Sequence, residues 1–276
     1  MSNDTFLSNM EMLGYHGIFS ELKRDEHGVW RMDFEDTEKK LVENDIHVLL
    51  FCSPQNPTGR VWERWELERL MDICRRHDVY VISDEIWADL VMPGHQHIPT
   101  QSVSEDAKMR TIAMYAPTKT FSLAGLIGSY HVIYNPYLRS RMWDESERAH
   151  YNYPNALSVA ALLGAYSEEG WEWAEELRQV LAANRDYACD YIAQNFQGVD
   201  FFKPEGTYML FIDCAKWCQQ HGKTLDDVLQ VGWNAGVIWQ DGRGFMGPTH
   251  IRMNLSLPTE RLKEALRRLD QYVFNV

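Results

Sequence analysis

The stretch from Ile46 to Ile86 constrains the fold more than any other part of the chain. Within it, "IHVLLF" is a short apolar run suited to a strand buried on both faces. "CSPQNPTG" follows, and its Pro, Asn and Gly dictate a loop. "WERWELERLMDICRRHD" then carries apolar residues at Trp62, Trp65, Leu67, Leu70, Met71, Ile73 and Cys74, a helical period. "VYVIS" is a second strand, ending at Asp84. Strand, helix and strand at this spacing make a crossover unit, which implies a parallel sheet.

A third strand, "TIAMYA", ends just before Lys119, and "SYHVIYN" gives a fourth. Beyond Pro154 the texture changes. "PNALSVAALLGAYSEEG" reads as a helix and "WEWAEELRQVLAANRDYACDYIAQNF" as a long amphipathic one. The alternating stretches "VDFFKP", "TYMLFIDC", "GVIWQ" and "HIRMNLSL" come next, then a closing helix from about Thr259. The expected architecture is an α/β, mostly parallel-sheet large domain over residues 1–165, with a smaller C-terminal α+β domain over 166–276. No internal repeat or low-complexity segment is visible.

The chain has 276 residues, 45% hydrophobic and 24% charged, an ordinary globular balance that allows a substantial core. A formal net charge of −13 argues against nucleic acid or an anionic membrane surface as partner. Cys52, Cys74, Cys189, Cys214 and Cys218 form no disulfide-like framework and read as reduced thiols. Cys214, Cys218 and His221 lie close in sequence, but no second ligand pair appears at zinc spacing, so no metal is expected. With no leader-like opening and no membrane-length apolar run, the expectation is a soluble cytoplasmic protein.

In an open parallel sheet, ligands bind at the carboxyl ends of the strands. Asn56, Asp84 and Lys119 each follow such an end. Taken singly, Asn56 shapes an Asn-Pro turn, Asp84 caps a helix and Lys119 is solvated. Taken together, they place an amide, a carboxylate and an amine around one crevice. A Schiff-base lysine, a carboxylate that keeps a pyridine nitrogen protonated, and an amide that donates to a phenolic oxygen are what pyridoxal phosphate requires. Arg252, in "HIRMNLS", adds a planar fork suited to a substrate carboxylate, although alone it reads as half of a surface ion pair.

"SPQNPTGRVW", "ISDEIWADLVMPGHQHIP", "APTKTFSLAGL", "EGTYMLFIDC" and "HIRMNLSLP" together resemble the ordered motifs of fold-type-I pyridoxal-phosphate enzymes, the class I/II aminotransferase superfamily. "NPTGRVW" with "SDEIWADLV" and "GHQHIP" is similar, more narrowly, to the cystathionine β-lyase-like carbon–sulfur lyase branch. The resemblance implies Lys119 as the catalytic Schiff-base lysine, Asp84 as the pyridine partner, Asn56 as the phenolic-oxygen contact and Arg252 as the carboxylate clamp. Trp87 and Thr118 join them in the implied cofactor pocket. It also implies a homodimer with an amino-acid substrate.

Against that family the chain shows departures. Its members have a substantial portion before the segment matching "FLSNMEMLGYHGIFSELKRDEHGVWRMDFED", which supplies a substrate-covering arm, a phosphate-holding helix N-terminus and a ring-stacking aromatic. The expectation is therefore an incomplete large domain with exposed apolar surface. "GRGFMG" fits G-x-G-x-x-G but leads into Pro248 and a strand, so it is no phosphate loop. Ala116 stands where a phosphate-binding hydroxyl is usual, Ser122 where Asn is usual, and Trp87 where Tyr or His is common. Ile127 occupies the place of an arginine found in many aminotransferases, which favours the lyase branch. The expected activity is a pyridoxal-phosphate C–S β-lyase giving thiol, ammonia and pyruvate. The alternatives are an aminotransferase using the same residues and a truncated, inactive homologue.

Overall fold

The computed structural model describes residues 3–275. In chain order its elements are α1 (Asn3–Met12), β1 (Lys23–Arg24), β2 (Trp30–Arg31), α2 (Phe34–Glu43), β3 (Val48–Cys52), α3 (Arg64–Arg76), β4 (Tyr80–Asp84), α4 (Glu105–Arg110), β5 (Thr111–Tyr115) and β6 (Tyr130–Val132). There follow α5 (Pro136–Ala149), α6 (Ala156–Ala165), α7 (Glu168–Asn195), β7 (Asp200–Phe201), β8 (Met209–Asp213), α8 (Ala215–His221), α9 (Leu225–Asn234), β9 (Gln240–Asp241), β10 (His250–Asn254) and α10 (Thr259–Leu269).

Two compact units form. One comprises Met32–Asn56 and Arg60–Gln179; the other takes the described residues up to Arg31, Pro57–Gly59 and the residues from Val180 on. These bounds differ from the division expected at residue 165. The change of unit falls inside α7, whose 28 residues run without a break. The early residues join the C-terminal unit for a local reason: the Arg24 guanidinium donates to Asp200 Oδ2 at 2.5 Å and lies over the Trp30 ring.

The unit centred on residues 32–179 carries the sheet β3-β4-β5-β6. β3, β4 and β5 pair in parallel, while β6 returns antiparallel to β5. The register sets Cys52 beside Asp84 and Asp84 beside Met114, so the strand ends align. α3 lies against the sheet because Leu67, Leu70, Met71, Ile73 and Cys74 share its buried stripe. Its first turn closes with a capping box between Glu63 and Glu66, and the buried Arg60 guanidinium bonds both carboxylates at 2.8 and 2.7 Å. Phe34, Leu41, Val79, Val81 and Ala107 complete this core.

β3 departs from the expected strand buried on both faces. Val48 is 51% exposed and Leu50 39%, because no layer of the described chain covers that side. Trp62 and Trp65 also depart from the helical stripe. Trp62 precedes α3 and donates to the Cys52 carbonyl at 2.9 Å, whereas Trp65 is largely exposed.

The other unit is built on the antiparallel sheet β7-β8-β10-β9. α10 buries Leu262, Leu266 and Leu269 on one stripe, packed with Ile192, Leu210, Ile212 and Ile251. Helices on an antiparallel sheet give the α+β character read from the sequence. "GVIWQ" contributes only its last residue to a strand, at Gln240. Gly59 belongs to this unit and needs to be glycine: it sits at φ +72°, and a Cβ there would lie 2.5 Å from Pro204 Cβ.

Candidate active site

Asp84 ends β4 and is 3% exposed. Its Oδ1 accepts from the Ile86 amide at 3.2 Å. Burial pushes its carboxyl above the usual range, opposed by that bond and by the nearby charge of Lys119. Cys52, its neighbour across β3, is pushed up to about 12 by burial and by the Asp84 charge, which keeps it an inert thiol.

Lys119 follows β5 in a tight turn, where Phe121 N donates to Pro117 O at 2.9 Å and Leu123 N to Thr118 O at 3.1 Å. The lysine is half-buried. Its Nζ lies 5.8 Å from the centroid of the Trp87 ring, and Trp87 is itself only 2% exposed. An ammonium over an indole face is attracted to it, so the tryptophan provides a floor for the amine. Thr118 is half-buried beside the lysine, and Asn56 is buried in the loop after β3. Asn56, Asp84, Trp87, Thr118 and Lys119 thus all lie in one unit, at the carboxyl ends of adjacent parallel strands.

Arg252 lies in the other unit, on β10. It is 9% exposed, which rules out the surface ion pair that its sequence context allowed. Its guanidinium stacks 4.2 Å from the Phe245 ring centroid and donates to the Gln240 side chain.

Two further carboxylates carry no sequence signal beyond their place after a strand. Glu85 is wholly buried, yet its carboxyl is held below the usual range by donors that outweigh desolvation. Those donors are Ser83 Oγ at 2.8 Å, the Thr100 amide at 3.0 Å, Tyr115 Oη at 2.6 Å and His97 Nε2 at 2.8 Å. Asp89 accepts from Thr120 Oγ1 at 3.0 Å. Only the fold shows that these acidic residues face inward.

The donor set fits the ring and aldehyde of pyridoxal phosphate. A carboxylate buried without a full complement of donors suits a cationic ring nitrogen, an amide suits a ring oxygen, and a half-buried amine suits an aldehyde. The phosphate end has fewer groups. Ala116 brings no side-chain donor, and Ile127 is 88% exposed at φ +48°. His221, near Cys214 and Cys218 in sequence, stacks its ring on Trp217 and sets its Nδ1 2.8 Å from the Trp217 carbonyl.

A family model for aminotransferase class I and II matches residues 15–269. The cystathionine β-lyase PatB of Bacillus subtilis is 31% identical over 266 residues, covering 96% of this chain and 67% of that protein. The pyridoxal-phosphate-bound C–S lyase of Staphylococcus hominis superposes with a TM-score of 0.88 at 31% identity, covering 98% of this chain and 68% of that one. Cystalysin of Treponema denticola, which contains pyridoxal 5'-phosphate, gives a TM-score of 0.87 at 31% identity, covering 97% and 66%. The chain thus spans about two thirds of the length of these relatives. No described helix is long and apolar enough to cross a membrane. With its mixed, mainly parallel sheet, the chain belongs to the class I and II aminotransferase family and has the fold-type-I architecture of pyridoxal-phosphate enzymes.

Proposed function

We propose that the chain acts as a pyridoxal-phosphate-dependent C–S β-lyase on cystathionine- or cysteine-type amino acids. The observation that most supports this is the alignment of Asp84 and Lys119 at neighbouring parallel strand ends, close enough for the lysine's charge to act on the carboxylate. Relatives named cystathionine β-lyase and C–S lyase support the lyase outcome.

Pyridoxal phosphate, when bound, supplies an aldehyde that condenses with amines and a ring that withdraws electrons from the substrate's Cα. Lys119 would supply the amine that holds that aldehyde and would serve as the base that takes the proton from the substrate's Cα. Asp84 holds a proton at the ring nitrogen, and Asn56 donates from its amide to the ring oxygen. Trp87 floors the site and keeps water from one side of the lysine. Thr118 offers its hydroxyl to the phosphate. By the resemblance, Arg252, oriented within its own unit by Phe245 and Gln240, would offer its planar fork to a carboxylate. As the Cα–H electrons form a Cα–Cβ double bond, the Cβ–S bond breaks and thiolate leaves. One water then converts the remaining three-carbon unit to pyruvate and ammonia, so the atoms balance.

The test is incubation of the full chain with pyridoxal phosphate and cystathionine. Pyruvate released without an added keto acid supports the lyase, and Lys119→Ala lowers the rate by roughly 10²–10⁴-fold or more. Turnover that requires a keto acid identifies an aminotransferase instead, and no product under either condition overturns both. The same reading carries a cytoplasmic homodimer, supported by the free cysteines and by apolar residues left exposed in the single chain. Sedimentation at twice the chain mass tests the dimer.

A further inference from the structure

We propose that Glu85 and Asp89 are positioning residues that brace the Lys119 turn at two points and so hold its amine in register with Asp84. The proposal rests on the assignment of Lys119 and Asp84 as the cofactor's lysine and ring-nitrogen partner.

The geometry is specific. Asp84, Glu85 and Asp89 lie on one short segment, the end of β4 and the turn that follows. Lys119 lies on the segment after β5. Tyr115, four residues before the lysine, donates to Glu85 Oε2 at 2.6 Å. Thr120, the residue immediately after it, donates to Asp89 Oδ2 at 3.0 Å. The lysine is therefore bracketed by two side chains, each tied to a carboxylate on the segment that carries Asp84. A backbone bond from Glu85 N to Met114 O at 2.9 Å joins the same two segments.

Each tie has one wholly buried end. Glu85 and Thr120 are wholly buried. Glu85 is further fixed by Ser83, His97 and the Thr100 amide, and Ser83 Oγ also meets Thr100 Oγ1 at 3.0 Å, so the carboxylate cannot rotate away from Tyr115 without breaking bonds on two elements. Burial and the Glu85 charge push the Tyr115 phenol up, so it keeps the proton it donates. A buried hub of this kind would stabilise the fold wherever it sat. What points to a positioning role is that both ties end within four residues of Lys119.

The test uses borohydride capture of pyridoxal phosphate on the full chain, with labelling at Lys119 measured by peptide mass spectrometry relative to Lys263, whose side chain is 41% exposed. Melting temperature without cofactor is read in parallel. Thr120→Val and Tyr115→Phe each remove one donor with little change of shape. Loss of a hydrogen bond to a charged acceptor predicts about tenfold less labelling at Lys119 for each, with Lys263 unchanged. Thr120→Ser keeps the hydroxyl and restores labelling. The visible absorbance band of bound cofactor shifts in the Val and Phe variants but not in the Ser variant. Equal Lys119-to-Lys263 labelling in wild type, Thr120→Val and Tyr115→Phe, with only the melting temperature lowered, would overturn the brace while leaving the lysine's assignment intact. Wild type that labels Lys119 no better than Lys263 would overturn the assignment, and the brace with it.

Discussion

Asp84 shows how far a single residue was legible. Its type and its place at a strand end were enough to nominate it, because strand ends are where an open parallel sheet binds ligands. What the sequence did not carry was its environment, since burial depends on chain segments far away. The raised carboxyl has a consequence in the cofactor-free protein. A folded-state pKa above the unfolded one favours folding below the unfolded range, near 3.9, and that contribution is lost as pH rises through the folded value. At neutral pH the buried carboxylate is therefore a burden on the fold. Asp84→Asn is expected to raise the urea midpoint at pH 7 more than at pH 4, with no pyridoxal phosphate added. An equal change at both pH values would show that Asp84 is not desolvated in solution. Glu85 is the converse case. Nothing in "SDEIWADL" says that the glutamate is the more buried of the two acids and the aspartate the less well supplied with donors.

At the scale of elements, periodicity found what it was able to find. α3 and β4 show it, because their apolar residues Leu70, Met71, Ile73, Cys74 and Val81 face one packed core. α5 was missed: it buries no residue, so no apolar stripe marks it, although Asn135 and Pro136 give the start signal of a helix. α9 carries a similar unused signal in the Thr224–Asp227 capping box. α6 shows what such caps contribute. Asn155 accepts from the Ser158 amide at 2.9 Å and donates to Ser158 Oγ at 2.8 Å, while Ser158 in turn reaches the Leu126 carbonyl. The cap thus fixes both the helix start and its link to the loop after Lys119. Asn155→Ala is expected to cost about 1 kcal/mol, with Asn155→Asp recovering most of it. Urea unfolding at neutral pH measures both. No loss in the alanine variant would mean that the cap is not formed in solution.

For the whole molecule, the decisive fact is that the chain spans about two thirds of its relatives' length while keeping their fold over that span. The described surface carries an apolar stretch of its own. α6 is an apolar helix, yet it rests on the rest of the chain only along Ser158, Ala161, Leu162 and Ala165, and Val159 and Leu163 on another face are 40% and 68% exposed. Leu157 at 71% and the β3 residues Val48 and Leu50 add to it. Isolated exposed leucines need no explanation, but an apolar helix exposed along its length is costly to hydrate and drives association. Because these side chains touch little within the chain, replacing them leaves folding nearly unaffected, within about 0.5 kcal/mol. The double substitution Val159→Glu and Leu163→Glu is therefore expected to keep the urea midpoint, reduce binding of a hydrophobic fluorescent dye and shift sedimentation toward the single chain. If self-association persists unchanged in that variant, α6 does not drive it, and the exposed edge at β3 becomes the surface to alter next.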